Sequence, residues 1–136
     1  MDIWSKKKRS EVMSRIRSKN TKPEIFVRSM IHNMGYRFRI HRRDLPGCPD
    51  LVFPKYRSII FVQGCFWHLH KGCRDGTIPK TDHEKWKAKL ERNVMRDKQN
   101  FKKLKDMGWK VLVIWECEVE KKIDKVEKKV RKFLTN

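Results

Sequence analysis

The stretch Gly64-Cys65-Phe66-Trp67-His68-Leu69-His70-Lys71-Gly72-Cys73 is the densest concentration of reactive side chains in this sequence. Cys65, His70 and Cys73 follow the spacing Cys-x4-His-x2-Cys. Cys117 lies far off in sequence, just past an apolar run that is expected to be a strand. Three thiolates and one imidazole would close a tetrahedral zinc site with no open position, which makes such a site structural. The plainer reading is a set of buried free thiols. Cys48 is left over as a free thiol. His68 falls between two of the proposed ligands and is not needed by the zinc. A neutral imidazole there can accept a proton from water, or His68 takes the place of His70 on the metal. His32, His41 and His83 read as ordinary surface or cap positions.

Three acids stand out. Asp50 opens a short apolar run behind Pro46-Gly47-Cys48-Pro49. A carboxylate at the edge of such a run must be solvated, paired or metal-bound. Mg2+ is commonly held by one or two carboxylates together with phosphate and water, so one well-placed Asp can suffice; a turn Asp is the alternative. Asp97 falls on the apolar stripe Trp86, Leu90, Val94, Phe101, Leu104, where an aliphatic side chain is expected. That placement favours a site residue, with a pairing to Arg92 or Arg96 as the simpler account. Glu24 sits three residues after Thr21, as in a capping box, and that role alone explains it. Phe66, Trp67 and Trp86 lie beside basic stretches. Aromatic rings are usually core, but in a loop they can stack on bases or wedge between them. Met13 and Ile16, apolar on a basic arm, can do the same.

These residues need elements to hold them. Thr21-Lys22-Pro23-Glu24 reads as a helix start, with Phe26, Met30 and Met34 recurring every four residues and Gly35 as the stop. Tyr36 to His41 alternates with strand period. Asp50–Phe53 and Arg57–Gln63 are apolar runs separated by a Pro54 turn, close enough to pair as an antiparallel hairpin. Thr81-Asp82-His83-Glu84 reads as a second capping box before a long helix that Gly108 ends. Trp109–Trp115 reads as a buried strand. The strand at 57–63, a crossover helix and this strand imply a parallel, right-handed connection. Val119, Ile123, Val126, Val130 and Phe133 mark one final amphipathic helix. The expected fold is α/β: a central mixed sheet flanked by helices in the order αβββαβ, the arrangement of restriction-endonuclease-like cores, with the structural zinc added. Residues 1–20 are expected to form a basic arm, flexible without DNA, and residues 21–136 a single domain.

Composition narrows the class. The chain has 136 residues and a formal net charge of +19. Eight Lys/Arg face two acids in residues 1–23, and thirteen face six in residues 71–110. Residues 45–70 hold only Asp50, Lys55 and Arg57. A weakly charged apolar centre between basic arms points to a nucleic-acid partner, either bound nonspecifically or acted on chemically. No apolar run approaches the ~20 residues of a membrane span, and Met1 to Arg17 lacks the apolar core of a signal peptide. Two disulfides are therefore not expected.

Taken together, the motifs resemble the very-short-patch repair (Vsr) mismatch endonucleases. Phe61-Val62-Gln63-Gly64-Cys65-Phe66-Trp67-His68 is similar to that family's signature. So, in order and spacing, are Leu45-Pro46-Gly47-Cys48-Pro49-Asp50, Asn93-Val94-Met95-Arg96-Asp97, Val113-Ile114-Trp115-Glu116-Cys117, and Met13-Ser14-Arg15-Ile16-Arg17 with Thr21 and Glu24. The resemblance spans about residues 8–118. It implies a monomeric Mg2+-dependent endonuclease that nicks one strand of double-stranded DNA 5′ to the T of a T:G mismatch left by 5-methylcytosine deamination. It also implies a cytoplasmic protein of a bacterium or archaeon, with mismatch-repair proteins as possible partners and no membrane.

By the same resemblance, Asp50 and the backbone carbonyl of Val62 bind Mg2+, and His68 is the general base. Glu24 and Asp97 support metal-bound water or His68. Cys65, His70, Cys73 and Cys117 hold structural Zn2+. Phe66, Trp67 and Trp86 would intercalate beside the mismatch, Met13 and Ile16 would enter from the other groove, and Arg15, Arg17 and Lys19 would grip phosphate. Two departures matter. Gln63 stands where the family often has His, so proton transfer rests on His68. Cys73 comes one residue later than in a known member. The remaining readings are a nuclease of the same fold with another lesion or sequence preference, and a non-catalytic zinc-stabilised mismatch-binding protein.

Overall fold

A computed structural model describes residues 21–135 of the chain. The expected basic arm, with Met13, Arg15, Ile16, Arg17 and Lys19, lies outside the described residues. Helix α1 runs Lys22–Asn33. Thr21 caps it: its hydroxyl accepts the Glu24 amide at 3.4 Å, and Pro23 lies in the first turn. Only half of the expected capping box forms, because the Glu24 carboxylate goes instead to His41. Gly35, at φ +95°, follows the helix in the left-handed conformation that a terminating glycine supplies.

Four strands form one mixed sheet in the order β1 (Arg39–Ile40), β2 (Leu51–Phe53), β3 (Ser58–Gln63), β4 (Lys110–Trp115). The first three are antiparallel neighbours, and β3 and β4 are parallel, with Ser58 opposite Lys110 and Gln63 opposite Trp115. The expected strand at 36–41 shortens to two residues. Helix α2 (His83–Asp106) makes the crossover between β3 and β4. Its expected capping box is absent: Asp82 is left-handed at φ +53° and its side chain caps nothing, since side-chain capping needs an extended N-cap residue.

The expected final helix is two, α3 (Glu116–Lys121) and α4 (Ile123–Thr135), broken at Lys122 with φ −139°. No glycine or proline marks the break. It lets Val119 on one piece and Val126, Val130 and Leu134 on the other face the same core.

Strand alternation divides the core in two. Leu51, Phe53, Ile60 and Ile114 point to one face, where Val27 and Ile31 of α1 and the apolar side of α3 and α4 cover them. Val52, Ile59 and Phe61 point to the other, with Leu104, Phe101 and Trp109 against them. Each fully buried Leu, Ile or Phe contributes about 1.5–3 kcal/mol. Two well-packed faces therefore hold β3 and β4 rigidly, and their C-terminal ends emerge side by side. No helix among the described residues is long and apolar enough to cross a membrane.

Candidate active site and metal centres

Cys65 and Cys117 each lie two residues beyond a parallel strand, β3 and β4, so the sheet delivers both to one edge. The loop after β3 turns back through the left-handed Leu69 and Gly72 to bring His70 and Cys73 to the same point. The four candidate ligand atoms lie within 4.8 Å of one another. His70 Nδ1 is 3.6 Å from Cys65 Sγ and 3.4 Å from Cys117 Sγ. A tetrahedral zinc with normal bond lengths separates N and S ligands by about 3.5 Å, so the set fits the ion. Gly72, at φ +76°, makes the turn that precedes Cys73. His70, not His68, joins the cysteines. Its ring stacks on Trp115 at 4.1 Å between centroids, which fixes its orientation.

Burial pushes the Cys65 thiol up to about 12. A bound cation would offset that cost and hold the thiolate. Gly76 completes the loop: a Cβ at that position would lie 2.2 Å from the His70 carbonyl oxygen.

His68 leaves the same loop toward α2. Its Nδ1 is 2.5 Å from Asp97 Oδ2, and one turn earlier on the helix Asn93 donates to the Trp67 carbonyl at 3.1 Å. Asp97 thus lies on the inner stripe of α2 because it holds an imidazole, and it pairs with neither Arg92 nor Arg96 among the contacts described. If the ring donates its Nδ1–H to the carboxylate, Nε2 is left with the lone pair, as an oriented general base requires.

Asp50 precedes β2 and is nearly buried, at 7 % exposure. The Val62 amide donates to its Oδ2 at 2.6 Å. Amide and carbonyl of one residue leave a strand on the same side, so the Val62 carbonyl also faces this site. Continued by two residues, the β2–β3 register sets Pro49 opposite Val62, and proline has no N–H to offer that carbonyl. Burial foremost, with Glu24 nearby, raises the Asp50 carboxyl to about 8.

Glu24 is 1 % exposed, and its Oε1 meets His41 Nε2. Glu24, His41 and Asp50 bring their ligand atoms within 4.8 Å of one another. Two carboxylates and an imidazole crowded together suit a divalent cation. The expected four-residue catalytic set is therefore two groups: Asp97 with His68, and Glu24 with Asp50.

His41 is the residue that reading the sequence missed, since it was placed among surface positions. It follows the two-residue β1 at φ +48°, and that left-handed turn swings it inward. A groove of about 780 Å³ lined by Arg28, Arg39, His41 and Arg42 opens there. Phe66, Trp67 and Trp86 form one half-exposed cluster with centroids 5.0–5.9 Å apart. Lys89 lies over the Trp67 and Trp86 rings. Gln63 is buried at 5 % exposure.

Comparison with known proteins fits this geometry. The family model described as DNA mismatch endonuclease Vsr matches residues 1–74. A type II nicking enzyme of Xanthomonas oryzae pv. oryzae, V.XorIIP, is 51% identical over 118 residues, 87% of this chain and 86% of its own. The nicking enzyme V.NmeAIP of Neisseria meningitidis serogroup A is 43% identical over 121 residues, 89% and 86% of the two chains. The DNA mismatch endonuclease Vsr of Escherichia coli is 40% identical over 116 residues, 85% and 74%. With the family model covering more than half of the chain, and with relatives so named, the chain belongs to the Vsr family of DNA mismatch endonucleases and is a strand-nicking endonuclease.

Proposed function

We propose that the protein nicks one DNA strand on the 5′ side of the T in a T:G mismatch, with Mg2+ at Asp50 and structural Zn2+ at Cys65, His70, Cys73 and Cys117. The observation that carries the reading is the pairing of an oriented His68–Asp97 dyad with a separate carboxylate centre at Asp50. The α-β-β-β-α-β order of elements and the mixed sheet support a restriction-endonuclease-like core.

In this reading His68 Nε2 takes the proton of the attacking water, and Asp97 holds the imidazole in the tautomer that can do so and stabilises its protonated form. Asp50 and the Val62 carbonyl hold Mg2+, with Glu24 beside them; the ion, when bound, offsets charge on the scissile phosphate and the leaving oxygen. Gln63 cannot replace His68 as base. Phe66, Trp67 and Trp86 wedge beside the mismatch, which is easier to unstack than a matched pair. Met13 and Ile16 approach from the other groove, while Arg15, Arg17 and Lys19 add sequence-blind grip on phosphates. Residues 1–20 act as an arm on DNA and 21–136 as one catalytic domain. The protein works as a cytoplasmic monomer on double-stranded DNA, with mismatch-repair proteins as candidate partners.

The test is a duplex carrying a single T:G in several contexts, with Mg2+ or none. Metal-dependent nicking beside T, lost in Asp50→Ala and His68→Ala, is the expected result. Tight binding with no nick under any metal would refute the enzymatic reading, and equal nicking of matched duplex would refute mismatch selectivity.

A further inference from the structure

We propose that His41 Nε2 is a direct ligand of the catalytic cation beside Asp50 and Glu24, and that this nitrogen gives the centre a preference for Mn2+ over Mg2+. The inference rests on the reading of Asp50 as a metal centre. It goes beyond it by naming a third ligand and the ion that ligand favours.

Three separate elements converge to make the arrangement. Glu24 comes from the first turn of α1, His41 from the bend after β1, and Asp50 from the start of β2. Their ligand atoms share a space 4.8 Å across or less. The His41 side chain is 12% exposed and that of Glu24 1%. An imidazole turned away from water, with one nitrogen aimed at the point it shares with two acids, is placed as a metal ligand is. The nitrogen aimed there is Nε2, since it is the one that meets Glu24.

The backbone supports the same assignment. His41 holds φ +48°, a left-handed conformation that few non-glycine residues adopt and that recurs at functional sites. With His41 in the extended conformation, as the alternation of residues 36–41 expects, the ring would follow the strand and not turn toward Glu24. Arg28 acts on Asp50 as well, so positive charge already lies nearby; what His41 adds is a nitrogen donor.

That donor has a chemical consequence. Mg2+ is a hard ion that favours oxygen and keeps several waters. First-row transition ions accept imidazole readily, and affinity for nitrogen-containing sites rises from Mn2+ onward. A centre of two carboxylates, one imidazole and the Val62 carbonyl suits Mn2+ better than an all-oxygen centre does. Beside His41 lies a groove whose lining includes Arg28, Arg39 and Arg42, cations that suit a phosphate.

The experiment uses the zinc-loaded full-length protein and Mn2+ as the probe. Pulsed EPR reads whether a ¹⁴N nucleus is coupled to the bound ion, and titration reads affinity for Mn2+ and Mg2+. A ¹⁴N coupling is expected in the wild type and in His68→Ala, and not in His41→Ala or His41→Gln. Mn2+ affinity falls by roughly tenfold or more in both His41 variants, and Mg2+ affinity falls by less. Zinc content and circular dichroism show that each variant is folded. Loss of all Mn2+ binding in a folded His41→Ala counts for the proposal. Mn2+ that binds in an Asp50-dependent manner with no ¹⁴N coupling, or a coupling that survives His41→Ala, overturns it and leaves the Asp50 centre intact. Mn2+ binding unchanged in Asp50→Asn overturns the Asp50 centre itself, and this inference with it.

Discussion

Replacing Asp50 by Asn should stabilise the magnesium-free protein while abolishing its activity. In the folded chain the carboxyl is raised from 3.8 to about 8, chiefly by burial. Between those values the native state binds a proton that the unfolded chain has released. Stability contributed by this group therefore falls as pH rises from about 4 to about 8 and is level above that. Each pH unit crossed is worth about 1.4 kcal/mol. At pH 5 the cost is about 1.7 kcal/mol, and at pH 7 about 4 kcal/mol.

Asn carries the same shape, can accept the Val62 amide as Asp50 does, and does not ionise. The advantage of Asp50→Asn over the wild type should thus grow by about 2–3 kcal/mol between pH 5 and pH 7. Urea unfolding of both proteins, zinc in place and magnesium absent, reads this directly. Other groups titrate alike in the two proteins, so only the difference matters. Added divalent ion should then stabilise the wild type alone, by binding its native state. A difference that is flat with pH, or a variant less stable than the wild type at pH 7, would refute the account of Asp50 as a buried acid waiting for a cation.

Asp97→Asn should lower the nicking rate by about a hundredfold or more, because His68 loses the partner that fixes its tautomer; Mn2+ affinity should not change, and a joint loss of both would contradict the division into two groups. Gly76→Ala drives a Cβ into the His70 carbonyl oxygen, so purified protein should contain well under one zinc per chain by elemental analysis; full zinc occupancy with wild-type stability would count against the loop geometry. Leu104→Ala opens a cavity beneath α2 and should cost about 2–5 kcal/mol in urea unfolding, while nicking of a T:G duplex at low temperature persists.

Much of this architecture could be read from local pattern. The apolar runs at 51–53 and 59–62 announced strands covered on both faces, and parallel strand ends predicted that Cys117 would meet Cys65. Asp97 announced itself as an acid on an apolar stripe. His41 gave no such signal. Its role depends on a left-handed bend and on two acids contributed by distant elements, and neither leaves a trace in periodicity. Glu24 was hidden for the opposite reason, since the capping box explained it too well. The break at Lys122 and the uncapped start of α2 are likewise choices made by packing, where tertiary contacts override local preference.

Phe66, Trp67 and His68 are consecutive, and Asn93 and Asp97, one helical turn apart, hold the last two of them. In the proposed mechanism, the rings that enter the duplex and the imidazole that takes the water's proton therefore ride on one mount. If the rings enter a weakened step, the imidazole arrives with them; if a sound duplex refuses the rings, the imidazole is held back by the same peptide bonds. Selectivity built this way is read in the cleavage step as well as in affinity. A site that binds undamaged DNA tightly through its basic surface can still leave it uncut.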